Sequence, residues 1–298
     1  MEISVKKKKR FLSRNIIFHL ILIAGGFVMI YPLIFIVMSS FFTSDEFNST
    51  RIGFFPIAAY PTFANIRLLF FAGDNRLVLI AYRNTILRTV YGTFNACLTA
   101  LLAGYTFARL KFKGRDTLFF MFLATTMLPT IFSVMPLFVV LHFFPFGGRT
   151  GLFDTWGVYA LINGPVLNIM GMFLVRQTIM AMPTSLEEAA RIDGAGTFRI
   201  IFFIVLPTIR AVIGYIAIIN AIGLWNDWQV PFFFTRSDDL QVLASMLTRL
   251  TRFGGTDIIP NYPLMMTLSL LLAVPSGLIF FIFQKQIVQG LMSAGIKG

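Results

Sequence analysis

The sequence predicts an all-α membrane protein with six transmembrane helices. Of its 298 residues, 57% are apolar and 13% charged, and the mean hydropathy is +0.79. Apolar runs of about 20 residues or more recur along the chain, the length a helix needs to cross a bilayer. Basic residues gather at the ends of those runs, as expected where positive loops stay cytoplasmic.

The net charge of +12 does not indicate a nucleic-acid partner, because membrane spans cut up the basic residues that a phosphate-binding patch would need together. Cys97 is the only cysteine, so no intrachain disulfide forms and the redox compartment is not legible. His19 and His142 lie far apart in apolar runs, which suits packing and gives no metal site. No Gly-Lys-Ser or Gly-Lys-Thr occurs, so the chain lacks a phosphate loop and is not expected to hydrolyse ATP.

The chain opens with a basic segment, residues 1–14, carrying Lys6 to Lys9, Arg10 and Arg14. An uncleaved first span follows at 15–42, too long for a signal peptide, with a kink expected at Pro32. Residues 43–81 read as a polar extracytoplasmic loop containing Asp45, Glu46, Pro56, Pro61 and Asp74. The membrane core occupies 82–285. Its second span, 84–108, ends in the basic turn from Arg109 to Arg115. The third, 117–143, is interrupted by Pro129 and Pro136, whose freed carbonyls call for neighbouring helices or water. A short turn with Gly147, Gly148 and Arg149 leads to a fourth span at 154–177.

The fifth span is placed at 211–234, because a window of 200–224 would bury Arg210. Residues 197–209 then form an amphipathic lead-in, and Pro207 is better tolerated near a helix start than in its middle. The sixth span covers 260–284 and the tail 286–298. With six spans both termini share one side. That side also holds the 109–115 turn and the 176–210 region, and it collects 16 of the 25 Lys and Arg. It is therefore read as cytoplasmic.

One polar stretch stands apart, residues 183–207. Its spacing predicts a short helix: Ser185 with Glu188, or Thr184 with Glu187, fits a capping box. Glu187 and Glu188 favour the positive end of the helix dipole, and Gly194 suits a left-handed stop. Leu186, Ala189, Ala190 and Asp193 fall near one face. On capping alone, this is an ordinary capped cytoplasmic helix.

Glu188-Ala189-Ala190, Gly194 and Ile204-Val205-Leu206-Pro207 resemble, at every defining position, the EAA loop of ABC importer permeases. Further stretches resemble the binding-protein-dependent sugar permeases, relatives of the second membrane subunit of the maltose importer. These include Tyr60 to Asn65, Arg83-Asn84-Thr85, Tyr105 to Arg115, Leu128-Pro129, Met135-Pro136-Leu137, Met182-Pro183, Asp193-Gly194 and Trp225-Asn226. The likeness covers roughly residues 60–298. One departure is Arg210-Ala211, where the family often has a second proline.

The resemblance implies a type I ABC importer permease fold with a cytoplasmic EAA coupling helix. Its ATPase-coupling residues would be Glu187, Glu188, Ala189, Ala190, Asp193 and Gly194. It implies several partners: a second homologous permease subunit, an ATPase dimer that binds ATP and Mg, an extracytoplasmic solute-binding protein, and a sugar or oligosaccharide cargo. No cofactor is implied in this chain itself. The setting is the bacterial or archaeal plasma membrane, with lipid around the spans, and the expected mechanism is alternating access. A permease for a non-sugar solute is the nearest alternative. An ion-coupled secondary transporter fits less well, since Asp227 is the only acid inside the proposed spans apart from Asp154 at an edge.

Trp225, Asn226, Asp227, Trp228 and Gln229 fall in the outer half of the fifth span. About 1.5 Å of rise per residue puts Asn226 beyond the middle of a ~30 Å layer counted from Arg210. Indole faces and amide or carboxylate groups suit a sugar. The cluster equally fits an outer aromatic belt or a contact with the partner permease.

Overall fold

The computed structural model describes residues 2–49, 52–71, 76–144, 151–252 and 261–295. Asp74, the Gly147, Gly148 and Arg149 turn and Lys297 lie outside them, as do the side chains of the basic start. All regular structure among the described residues is helical. The chain divides into two units, Met1–Gly73 with Phe253–Leu271, and Asp74–Arg252 with Leu272–Gly298.

In the first unit, α1 runs Glu2–Ser39 and continues through Pro32. Its segment Phe18–Ser39 is apolar and has no buried residue before Ser39, the state of a helix facing lipid. Two short helices follow, α2 (Ser44–Ser49) and α3 (Ala64–Phe71). The predicted loop is therefore partly helical and tied down. Asn65 is buried, and its amide donates to the carbonyls of Ser40 at 2.9 Å and Phe42 at 2.7 Å. That satisfies carbonyls left open where α1 ends. Tyr31 stacks on Phe54 at 4.3 Å and donates its hydroxyl to the Phe54 carbonyl.

The second unit is built on α4, Arg76–Arg109. It starts eight residues before the window read from sequence, because residues 76–83 contain no helix breaker. Next come α5 (Arg115–Thr125), a 3-10 turn (Thr130–Ser133), α6 (Val134–His142), α7 (Trp156–Ile162) and α8 (Ile169–Met180). Then follow α9 (Ser185–Ile192), α10 (Thr197–Thr208), α11 (Arg210–Asn226), α12 (Gln229–Phe234), α13 (Leu243–Arg252) and α14 (Tyr262–Gly295), whose start belongs to the first unit. The α4 helix packs mainly on α8 and α11. Their shared core contains Leu101, Tyr105, Val175, Ile179, Val212 and Ile216, with Ile200 and Val205 from α10. Gly104 permits the close approach of α4 to α8: a Cβ there would lie 2.6 Å from Val175 Cβ, and a small residue removes that clash.

Among the described residues, three helices are long and apolar enough to cross a membrane: Phe18–Ser39, Leu77–Arg109 and Tyr262–Gln286. The pair Thr197–Thr208 and Arg210–Asn226 makes a fourth if counted as one span, bent by 83°. Six continuous spans are not what the described residues show. The third window breaks at Leu128-Pro129, where proline lacks an N–H and restricts the residue before it; Pro136 sits harmlessly in the first turn of α6. The fourth window breaks at Asn163-Gly164-Pro165, between α7 and α8. The fifth stops at Asp227, whose backbone turns extended (φ −74°, ψ 107°) before α12. Before it, α10 includes a π-turn at Ile201–Val205, just ahead of Pro207.

Candidate functional site

The polar stretch forms α9, and its two ends behave differently. Neither predicted capping box forms: Thr184 is the N-cap, has helical angles and makes no side-chain cap. Its carbonyl instead takes the amides of Glu187 and Glu188, both at 3.0 Å. The C-terminal reading holds. Gly194 has φ +81°, its N–H donates to Arg191 O at 3.0 Å, and Ala195 N–H donates to Ala190 O at 2.9 Å. These are the two bonds of a Schellman stop, which needs a left-handed residue.

The faces of α9 separate cleanly. Leu186, Glu188, Ala189, Ile192 and Asp193 are exposed, and Ile192 is 87% exposed. With Phe198, they give an apolar surface rimmed by two acids. Ala190 is half-buried against the core. Glu187 is turned inward at 4% exposure. Its carboxylate accepts from Arg109 Nε at 2.7 Å and from the Tyr105 hydroxyl at 3.1 Å. Arg109 Nη2 also donates to Met182 O at 3.0 Å, so one guanidinium joins the ends of α4 and α8 to α9. Glu187, and in part Ala190, thus differ from the other residues read as ATPase-coupling: their side chains face the fold.

At the same end, Arg176 Nη2 reaches Asp116 at 3.3 Å, and its guanidinium carbon lies 4.1 Å from the Phe119 ring centroid. The Arg115 hydrogen bond, helped by Arg176, holds the exposed Asp116 carboxyl below its usual range.

The five residues read as a cargo cluster separate. Trp225 is buried, with its indole N–H on Leu272 O at 3.0 Å and an edge-on contact to Tyr82; it is a packing anchor. Asn226 is exposed and donates to Ile222 O and Ser276 Oγ. Trp228 is 41% exposed and meets Phe232 edge-on, and Gln229 is also exposed. Asp227 closes α11: Oδ1 accepts from Gln229 N at 2.9 Å, and Oδ2 is ion-paired with Arg88.

Arg88 is the residue the sequence reading missed. It is 1% exposed, donates from Nε to Asn163 Oδ1 at 2.8 Å and from Nη1 to Asp227 O at 3.2 Å, and lies 5.0 Å from the Tyr159 ring centroid. It therefore fastens two helix breaks to α4. The available signal was a lone arginine inside an apolar window, which requires a partner. Beside these breaks is an open cavity of about 340 Å³, lined in part by Gly92, Thr126, Asn163, Asn168, Asn220 and Leu224. Among the described residues, no group of three or more His, Cys, Asp or Glu is placed to hold a metal.

The profile of the binding-protein-dependent transport system inner membrane component matches residues 98–293, a stretch that contains α9 and both ends of the Asp227 break. The chain belongs to this family. As a member, it is a membrane-embedded permease component of an ABC transporter and not an enzyme. It is 27% identical over 280 residues to the lactose transport system permease protein LacG of Rhizobium radiobacter, covering 94% of this chain and 96% of that one. It is 29% identical to the maltodextrin transport system permease protein MalD of Streptococcus pneumoniae, over the whole of both chains. Its fold is similar to that of a bacterial ABC transporter involved in the import of alginate, with a TM-score of 0.75, 19% identity, and 91% and 95% of the two chains covered.

Proposed function

We propose that this permease is one of two homologous membrane subunits of an ATP-driven importer for a sugar or oligosaccharide. The lactose and maltodextrin permeases to which it is similar support that cargo class. The observation that carries the coupling half of the reading is α9. It is short and rigidly stopped, anchored inward by Glu187, and turns Leu186, Glu188, Ala189, Ile192 and Asp193 outward. An exposed apolar face with a polar rim suits a protein partner, and the partner proposed is the ATPase dimer, which would bind ATP and Mg. This chain would need no cofactor of its own. A solute-binding protein would deliver the cargo from outside.

The six-span topology, with both termini cytoplasmic, is part of the same proposal. The third and fourth crossings would be the broken pairs, α5 with α6 and α7 with α8. Non-helical backbone at membrane depth is tolerated where protein or a wet cavity covers it.

Two variants test the coupling. Gly194→Val puts a β-branched residue at φ +81°, and Ala190→Trp overfills a half-buried site. Uptake by the assembled transporter is expected to be lost while both variants reach the membrane in normal amounts. Normal uptake by both would remove α9 from the coupling route.

A further inference from the structure

The geometry points to the cavity beside the helix breaks, and not to residues 225–229, as a cargo subsite for an uncharged, hydroxyl-rich ligand. This rests on the import reading above and adds the place and the charge class.

The polar side chains of the lining are Thr126, whose hydroxyl donates to Leu123 O at 2.7 Å, and three amides, each pinned by one half. Asn163 Oδ1 is taken by Arg88 Nε at 2.8 Å. Asn168 Oδ1 caps α8 by accepting from Gly171 N at 2.9 Å. Asn220 Nδ2 donates to Ile216 O at 2.8 Å. The other half of each makes no hydrogen bond among the described residues. What is left over is two NH₂ groups, from Asn163 and Asn168, and one carbonyl, from Asn220. A hydroxyl both donates and accepts, so a mixed set of this kind matches it. An anion would find no uncompensated cation, because the Arg88 charge is already met by Asp227, and a cation would find no carboxylate.

The pinning holds the amides in fixed rotamers before any ligand arrives, which lowers the ordering cost of binding. Polar side chains grouped at membrane depth are costly against lipid and belong beside a wet cavity. By contrast, Trp225 has its indole N–H occupied, and Asp227 has both carboxylate oxygens occupied.

The test uses the whole transporter with its binding protein in proteoliposomes, and lactose, maltotriose and raffinose as probes. Asn220→Ala removes the free carbonyl. It should raise KM for an accumulated probe about fivefold, the loss of one hydrogen bond. Asn220→Ser keeps a hydroxyl that can donate to Ile216 O and still accept from a ligand, so it should stay closer to wild type, which a merely structural role for the Asn220 amide would not produce. A second arm needs no cargo. In a Cys97→Ala background, Asn163→Cys, Asn168→Cys and Asn220→Cys, each made singly, should react with a water-soluble maleimide.

Unchanged KM and rate in Asn220→Ala, with wild-type uptake present, overturns the subsite and leaves the import reading standing. Accumulation of none of the three probes by the wild type counts against the sugar reading itself. The cavity is then decided by the labelling arm, where three unreactive cysteines overturn it.

Discussion

A carboxylate that is 4% exposed needs its charge answered, and Glu187 is answered by Arg109 and Tyr105. Removing one partner leaves the other charge poorly solvated, at a cost of about 3 kcal/mol for a well-buried pair. Glu187→Gln should therefore reduce uptake by roughly tenfold through misplacement of α9, with membrane abundance nearly unchanged. A double-mutant cycle of Glu187→Ala with Arg109→Ala checks this. Strictly additive losses would show that the pair does not work as a unit. Arg88 and Asp227 make the same argument for the interior of α4. Arg88→Met alone should lower the thermal midpoint of the purified complex, and Arg88→Met with Asp227→Asn should recover part of the loss; no recovery would rule out the ion pair as the cause. The exposed Asp116 behaves differently. Its folded carboxyl is depressed, so its contribution is present above its unfolded value and lost only as pH falls through the lower folded one. Neutral pH changes should leave the α5–α8 bridge intact.

At the scale of elements, hydropathy located the apolar windows, and Pro129 marked the break in the third, but the break in the fourth was missed. Averaging over some 20 residues passes across Asn163-Gly164-Pro165, although Gly and Pro together are a break signal. The end of α11 at Asp227 depends on Arg88, which stands 139 residues away, and a single sequence does not display that pairing. The bend before Arg210 was legible, because placing Arg210 and Pro207 at a helix start already separated 197–209 from the fifth window. In α9 the two termini divide the same way. The stop at Gly194 follows from a local backbone requirement, whereas the capping box did not form because Thr184 entered the helix with φ −72° and ψ −21°. Gly194 also gives an element-scale prediction. A Cβ there would meet nothing within 4 Å, so the cost within this chain is conformational only. Asn tolerates the left-handed region far better than Val. Gly194→Asn should keep α9 folded and the chain in the membrane, yet still lower uptake, because its side chain projects from the face proposed to dock. Wild-type uptake by Gly194→Asn would mean that glycine serves the turn alone.

For the whole molecule, contacts within the second unit add to the charge counting behind the proposed orientation. Arg109 ends α4 and binds Glu187 of α9, so the 109–115 turn and α9 lie at one end of that unit. That end carries Arg109, Lys111, Lys113, Arg115, Arg176 and Arg191, and the proposed orientation puts it on the cytoplasmic side, where basic ends are favoured. If the broken pairs α5–α6 and α7–α8 each cross, the chain leaves the cytoplasm after Thr117 and returns before Pro183. The 83° bend then lays α10 along the cytoplasmic surface, and α11 crosses outward. On the same proposal, α14 would cross back and end inside. A reporter active only in the cytosol should work when inserted after Lys113 and when fused after Gly298. A reporter active only after export should work when inserted beside Thr155, between the two broken pairs. An exported reporter active at Lys113 would reverse the whole orientation. A cytosolic reporter active beside Thr155 would leave the orientation standing and show that α5–α6 and α7–α8 enter the membrane and return without crossing it.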